Sequence, residues 1–226
     1  LLVDALLAMA PGPLARGGLL AVVVGAMGAV LWSGLLSDLS ILREYSARSD
    51  AFYREFLRHL GLAFGSLGAA AVIGFPVGIL SHRRAGLRAA ILPILSFLQT
   101  VPSLAMFGLM IPLLGWVGHT VPGAQAIGIA GIGFAPAFLA LVLYSLLPVV
   151  GNTVAGLASA PPAAVEAARG MGMTQQQRLL RVELPLGLPI ILTGLRIVLV
   201  QNIGLAVIAG LIGGGGFGTF VFQGLN

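Results

Sequence analysis

Three glycines near the carboxyl end have a spacing that binds phosphate in another structural context. Gly213, Gly215 and Gly218 match G-x-G-x-x-G, a pattern that lets the backbone of a strand-to-helix turn approach a dinucleotide. Here the glycines follow a long apolar segment and precede no recognisable strand-helix unit. The pattern therefore does not favour nucleotide binding, and we expect a flexible backbone segment here.

Other chemistry-bearing residues are sparse. His59, His82 and His119 are far apart and share no metal-ligand spacing, and the chain has no cysteine, so we assign no metal site. All twelve basic residues are arginine. A Walker phosphate loop needs a lysine, so this chain cannot form one, and we expect no cofactor on it. If the protein uses ATP, the ATP and Mg²⁺ must bind another polypeptide. No basic run is interleaved with aromatics, so a nucleic-acid partner is not indicated.

A polar island at residues 166–185 separates two long apolar segments. Pro162 can open a helix, because a proline at the first position gives up only an unpaired amide. Gly170 and Gly172 interrupt that helix, and Thr174 with Gln177 has capping-box spacing for a second one. The sequence thus predicts two short helices joined by a glycine hinge, a compact knob suited to a groove on a partner. An ordinary amphipathic interfacial loop is the alternative.

Two further expectations concern the second half of the island. Leucines at 179, 180 and 184 are expected to face one way, and Gln175, Arg178 and Arg181 another. Pro185 and Pro189 are expected to mark the turn back into the membrane.

The composition places these residues on membrane helices. Hydrophobic residues make up 58% of the 226 and only 8% are charged, so a water-soluble fold would lack polar surface. We predict an all-α polytopic membrane bundle with about five spans, at residues 19–36, 60–80, 91–116, 127–150 and 188–212, and a further span missing at the carboxyl end. Residues 1–10 are expected to be the tail of an earlier span or an interfacial helix. Prolines inside the spans predict kinks or breaks, at Pro76, Pro93, Pro102, Pro112 and Pro136.

Arginine counts predict the orientation. Seven arginines (Arg16, Arg83, Arg84, Arg88, Arg169, Arg178, Arg181) fall on the island side and four (Arg43, Arg48, Arg54, Arg58) on the other. The positive-inside rule therefore favours a cytoplasmic island. Within residues 40–60, helix-spaced charge pairs and a stripe of Phe52, Phe56 and Leu60 predict an external helix along the membrane surface.

Few polar side chains lie inside the spans. Arg196 is the one charge in a core span, and we interpret it as a snorkelling anchor, with a contact to the knob or a gate as the alternative. Candidates for a weakly polar pore lining are Gln99, Thr100, Ser103, Thr193, Gln201 and Asn202. Since the spans 60–80, 91–116 and 127–150 carry no charge, we expect a passage rather than a tight substrate site.

The island resembles the EAA loop of permease subunits in ATP-binding-cassette importers, the element that docks on a separate ATPase. The matching residues are Glu166, Ala167, Ala168, Gly170 and the closing Leu184 and Pro185, with Gly172 and Thr174 between them. The resemblance runs from about His59 to Leu225 and is closest to the osmoprotectant branch of type I importers. Similar segments lie at 99–105, 147–153, 166–173, 182–185 and 212–218, while Gly151 stands where members often have a basic residue.

The resemblance implies the type I importer permease fold in a bacterial plasma membrane. It implies two cytoplasmic ATP-binding subunits, a second permease copy or a sister permease, an external substrate-binding protein and the lipid bilayer as partners. Glycine betaine, choline and carnitine are the implied substrates, and Gly213 and Gly215 are implied to lie near an external gate. Residues 1–58 are interpreted as an extra amino-terminal region, and 59–226 as the permease core with its coupling loop at 151–187.

Alternatives remain open at this stage. Permeases for methionine, phosphonate or sulfonate share the EAA loop. An ion-coupled secondary transporter would normally carry intramembrane charges and repeat-related broken helices. A structural or assembly protein of the membrane would not need the EAA pattern.

Overall fold

The computed structural model describes residues 12–33, 45 and 47–224, and these residues form helices joined by turns. In chain order the helices are α1 (Pro13–Trp32), α2 (Ser49–Arg83), α3 (Ala85–Thr100), α4 (Ser103–Thr120), α5 (Phe134–Ala158), α6 (Pro162–Gly170), α7 (Gln175–Arg178), α8 (Leu184–Ile208) and α9 (Gly218–Gln223). Short 3₁₀ turns lie at Gln125–Ile127 and Ala209–Ile212, and a π-helical turn lies at Leu179–Glu183. The predicted all-α class is confirmed.

Four stretches among the described residues are long and apolar enough to cross a membrane. They are Ser49–Arg83, Ser103–Thr120, Phe134–Ala158 and Gln175–Ile212. Shorter apolar helices lie at Gly17–Val30 and Ala85–Thr100. The residues thus form a multi-pass membrane protein, while the expectations for residues 1–10, 34–36 and 225 onward lie outside the described residues.

One predicted span is wrong. Residues 91–116 form two helices, because α3 ends at Thr100 and α4 begins at Ser103. Pro102 lies at the break, lacks an amide donor and disfavours helical geometry at Val101, whose ψ is 127°. The prolines Pro76, Pro93 and Pro112 lie inside continuous helices, and Pro136 lies in the first turn of α5.

The predicted surface helix at residues 40–60 is continuous with the following span in its second half. From Ser49 onward these residues belong to the 35-residue helix α2, and most of residues 40–48 lie outside the described residues. The chain divides into two compact units between Phe52 and Tyr53, somewhat before the boundary at Arg58 that the sequence suggested. The paragraphs below concern the second unit, residues 53–226.

Helix α5 is the centre of this unit, and small residues let its neighbours approach closely. On the α2 side, a Cβ at Gly74 would lie 2.6 Å from Val149 Cγ1, and one at Gly78 would lie 2.6 Å from Thr153 Cβ. On the α8 side, a Cβ at Gly156 would lie 2.8 Å from the Gly187 carbonyl oxygen. In lipid, close van der Waals packing of this kind holds helices together, so α2, α5 and α8 form the scaffold that positions both ends of the molecule.

Candidate functional site

The first half of the polar island has the predicted local structure. Helix α6 begins with Pro162 at its first turn and ends at Gly170. Gly172 has φ +77°, a left-handed conformation that favours glycine. The Thr174 hydroxyl accepts from Gln177 N at 3.3 Å, and Gln177 Oε1 accepts from Thr174 N at 2.9 Å. The short helix α6, the glycine hinge and the capping box are therefore confirmed, whereas the second helix does not end within the island.

The residues of the predicted coupling motif are divided between an outer and an inner face. Glu166, Ala167 and Gly170 are exposed, whereas Ala168 is buried. A Cβ added at Gly170 would meet no atom within 4 Å. Two large apolar side chains, Met171 and Leu180, are also 70% and 61% exposed. The island thus presents small and apolar groups outward in a polar segment, as a protein-binding surface does.

The second half of the island differs from the prediction. Residues 179–183 form a π turn that leads directly into α8, so Leu184 and Pro185 lie at a helix start and no turn occurs at Pro185 or Pro189. The π turn shifts the hydrogen-bond ladder just before Pro185, which has no amide donor, and the Leu184 amide donates to the Leu179 carbonyl oxygen. The predicted apolar face is also wrong, since Leu180 is exposed and Leu179 is buried.

Glu183 lies at the centre of a charge cluster that the sequence reading missed. Its Oε1 accepts from Arg178 Nε at 2.9 Å, and its Oε2 lies 3.8 Å from His82 Nε2. The Arg178 and Glu183 side chains are only 14% and 10% exposed. Next to them, Arg83 Nη2 donates to the Gln175 carbonyl oxygen at 3.3 Å. The end of α2 is thereby attached to the island at two points.

The cluster borders a polar cavity of about 430 Å³. Its lining combines the end of α2 with α6 and α7, and includes Arg83, Glu166, Arg169 and Gln175. The cavity opens between the two short helices and the core. Among the described residues, no group of three or more His, Asp or Glu side chains is arranged to hold a metal ion.

The pore candidates Gln99, Thr100 and Ser103 lie at the break between α3 and α4, which Tyr144 of α5 bridges. Gln99 Nε2 donates to the Tyr144 carbonyl oxygen at 2.8 Å, and the Tyr144 hydroxyl donates to the Val101 carbonyl oxygen. Thr100 is exposed and donates to the Phe97 carbonyl oxygen at 2.7 Å, while Ser103 is half-buried. The bonds to the Val101 and Phe97 carbonyl oxygens satisfy backbone groups at the break. The Gln99 amide instead satisfies the Tyr144 carbonyl oxygen, which Pro148, four residues further along α5, leaves without an intrahelical donor.

The remaining candidates belong to two sides of α8. Asn202 is fully buried: its Nδ2 donates to Ser66 Oγ at 2.8 Å and lies 2.9 Å from Ser145 Oγ. This placement joins α2, α5 and α8, and it removes Asn202 from any lining surface of this chain. Arg196, Gln201 and Thr193 instead share an open cavity of about 460 Å³ with Ile197 and Val200.

The glycine segment at the opposite end is a packed turn, in contrast to the flexible backbone that was predicted. Gly213, Gly215 and Gly216 have φ of +75°, +78° and +81°. The Gly216 amide donates to Glu55 Oε2 at 2.7 Å. The Phe217 ring lies 5.0 Å from that of His59. The turn is thus fixed to the early part of α2.

Sequence reasoning therefore missed Glu55, Glu183 and Tyr144. The pairing of Glu183 could have been suspected from the sequence, because this carboxylate lies at the edge of an apolar span five residues after Arg178. Glu55 carries no such signal, because its partner Gly216 is 161 residues away.

Comparison with known proteins agrees with this geometry. The family described as "Binding-protein-dependent transport system inner membrane component" matches residues 70–226. The osmoprotectant import permease protein OsmW of Salmonella typhimurium is 45% identical over 169 residues, which cover 75% of this chain and 74% of that protein. The glycine betaine/carnitine/choline transport system permease protein OpuCD of Bacillus subtilis is 36% identical over 182 residues, 80% of this chain and 72% of that one.

A solved structure has the same architecture. Inward facing conformations of the MetNI methionine ABC transporter match with a TM-score of 0.65 and 26% identity, covering 76% of this chain and 79% of that chain.

Proposed function

The chain belongs to the family of binding-protein-dependent transport system inner membrane components, and from that premise we propose that it is the permease subunit of an ATP-driven importer for compatible solutes. In this role the helices around α5 form part of the translocation pathway. The polar island docks on a separate ATPase and transmits its conformational change to these helices. The chain itself is not an enzyme.

The observation that carries the coupling role is the outward face of the island. Gly170 is exposed and a Cβ there would meet none of the described residues within 4 Å, so packing within the described part of the chain gives no reason for a small residue. An exposed Met171 and Leu180 beside it supply apolar contact area. These features fit a groove on a partner protein.

The proposed partners follow from this role. Two cytoplasmic ATP-binding subunits would hold ATP and Mg²⁺ and contact the two islands of a permease pair, formed by a second copy or by a sister permease. An external binding protein would deliver the solute. The proposed location is the bacterial plasma membrane with the island in the cytoplasm.

The contact of Arg83 with Gln175 supports part of this orientation, since it brings the arginine-rich segment at residues 83–88 to the same end as the island. The sequence has no native cysteine, so single cysteines can test the orientation with an impermeant thiol reagent on intact cells. Tyr53, Ala85 and Gln176 are exposed sites for this purpose, whereas Ser81 is fully buried. We expect labelling of Tyr53→Cys alone. Labelling of Gln176→Cys in place of Tyr53→Cys would invert the proposed orientation.

The substrate class is proposed from the relatives whose names include osmoprotectants, glycine betaine, carnitine and choline. The methionine transporter shares the fold at lower identity, so methionine is the alternative to test alongside.

The deciding experiment is uptake of labelled solutes. The chain would be produced with its candidate ATPase and binding protein in a bacterium that lacks osmoprotectant uptake. Glycine betaine, carnitine, choline and methionine would be compared at high osmolarity. We expect uptake of at least one quaternary ammonium solute and none with an ATPase variant unable to hydrolyse ATP. Uptake of methionine alone would overturn the proposed substrate class.

A further inference from the structure

Arg196 lies on the side of α8 that faces away from the core of the chain. The inner side of this helix is formed by Ile191, Gly194, Val198, Asn202 and Ala206, which are all buried. Arg196 and Thr193 are exposed, Gln201 is half-buried, and Ile197 and Val200 complete the open cavity around them. The guanidinium is therefore presented outward together with a hydroxyl and an amide.

The depth of Arg196 argues against the snorkelling interpretation made from the sequence. Leu184 and Ile208, the two ends of α8, are each twelve residues away, which is about 18 Å at 1.5 Å per residue. A hydrocarbon core ~30 Å thick places its midplane only about 15 Å from either interface. An arginine side chain at the middle of the helix cannot cover this distance, and a guanidinium in hydrocarbon is costly. This side of α8 must therefore face protein or water.

Within residues 47–224 the guanidinium has no countercharge. Among the described residues, no carboxylate lies within ion-pair distance of Arg196, and the two buried glutamates are engaged at the ends of the molecule. The predicted spans at 60–80, 91–116 and 127–150 contain no charged residue. An anionic group entering this region would thus find Arg196 as its charged partner.

We propose that Arg196 is a transit site for the carboxylate of a zwitterionic solute, with Thr193 and Gln201 as neighbouring hydrogen-bonding groups. The inference rests on the proposed function and narrows it: the pathway favours solutes that carry a carboxylate beside the quaternary ammonium, such as glycine betaine or carnitine. Arginine binds a carboxylate in bidentate geometry. A purely cationic solute such as choline has no such group and is repelled by the guanidinium.

We expect Arg196 to bind the solute carboxylate weakly, because a translocation pathway must release its substrate. One exposed guanidinium without an aromatic cage does not hold a quaternary cation tightly. We therefore expect a dissociation constant of about a millimolar, with high affinity left to the external binding protein.

Protection of an introduced cysteine tests the site without relying on transport. Thr193→Cys is made in the assembled permease complex in lipid nanodiscs, a neutral thiol reagent is added, and modification of this chain is followed by mass spectrometry. At ~100 mM solute, far above a millimolar constant, glycine betaine is expected to slow modification at least about fivefold more than choline does, because the guanidinium attracts one and repels the other. In Thr193→Cys with Arg196→Gln this difference disappears, and with Arg196→Lys it is partly kept.

Phe97→Cys, at a 69% exposed position on α3, is the matched control and should react at the same rate in both solutes. Equal protection of Thr193→Cys by betaine and choline would overturn the inference. A cysteine at 193 that never reacts would also overturn it, because the surface is then covered by a second permease. Failure of osmolyte uptake with the betaine-specific protection intact would count against the proposed function and not against this site.

Discussion

The two ends of the core are each fixed by a buried glutamate, but the two carboxylates bind different kinds of donor. At the glycine-turn end, Glu55 accepts from the backbone amide of Gly216. At the island end, Glu183 contacts the side chains of Arg178 and His82. Arg54 and Arg58 also lie within 3.8 Å and 3.7 Å of Glu55, but their side chains are 66% and 51% exposed.

This difference assigns different mechanical roles to the two ends. The Gly216 amide is part of a turn of left-handed glycines, so its position relative to Glu55 is fixed by the backbone. The glycine-turn end is therefore covered by residues of this chain. At the island end, Arg178 of α7 donates to Glu183 and His82 of α2 lies 3.8 Å away, while the outward face of the island is exposed in the part of the chain that the structure describes. The island end is therefore the one that leaves an exposed face, where the proposed ATPase would dock.

The largest expected effect is at Gly170. Gly170→Trp should leave folding unchanged within about 0.5 kcal/mol, as for surface substitutions in general. It should reduce transport by two orders of magnitude, roughly 3 kcal/mol, and abolish stimulation of the partner ATPase, because the indole occupies the space of the partner. Uptake and ATPase rates at matched expression measure this.

Gly86→Trp is the matched control, since Gly86 is also exposed and a Cβ there meets nothing within 4 Å. We expect it to transport normally. Normal transport by Gly170→Trp as well would remove the proposed docking role of the island.

At the glycine-turn end we expect a substitution to change folding stability, in contrast to the unchanged stability expected at Gly170. A Cβ at Gly215 would lie 2.7 Å from Arg58 Cδ and 2.8 Å from Glu55 Oε2, and φ there is +78°. Gly215→Ala should therefore lower the free energy of unfolding by about 2–3 kcal/mol, from left-handed strain and crowding together. Denaturation of the purified protein in detergent micelles measures the change. A free energy of unfolding equal to that of the wild type would show that the turn is not packed tightly against Arg58 and Glu55.

Glutamine substitutions sharpen the comparison of the two carboxylates. Glu183→Gln leaves the largely buried Arg178 without a countercharge, so we expect a loss of about 2 kcal/mol, below the usual range for a fully buried pair because the cluster borders an open cavity. In a double-mutant cycle with Arg178→Ala, the second substitution should cost little once the first is made. Additive losses would contradict the pairing.

The smallest effect is expected for Glu55→Gln. The amide oxygen of glutamine can still accept from Gly216 N, so only the charge assistance is lost, about 0.5–1 kcal/mol. Glu55→Ala removes the acceptor altogether and should cost more, about 2 kcal/mol. If Glu55→Gln is as harmful as Glu183→Gln, the distinction between backbone and side-chain donors fails.

Local signals were readable from the sequence and distant ones were not. The opening proline of α6, the hinge at Gly172 and the capping box of Thr174 act within a few residues, so their chemistry is visible in the order of the chain. The break near Pro102 was foreseen only as one possibility among several prolines, because whether a proline kinks or breaks a helix depends on neighbours such as Tyr144. The Glu55 contact with Gly216 depends wholly on the tertiary packing of α2 against the chain end.

The π turn sets the rotation of α7, in the island, relative to α8, in the span, about their common helix axis. In an α-helix, residues five apart are separated by about 140° around the axis, so Arg178 and Glu183 would face different directions. The wider turn at Leu179–Glu183 brings them together. Contraction to α geometry would turn α7 by about 100° relative to α8 and separate the pair. A rotation of the island about the helix axis would therefore make or break the ion pair between Arg178 and Glu183.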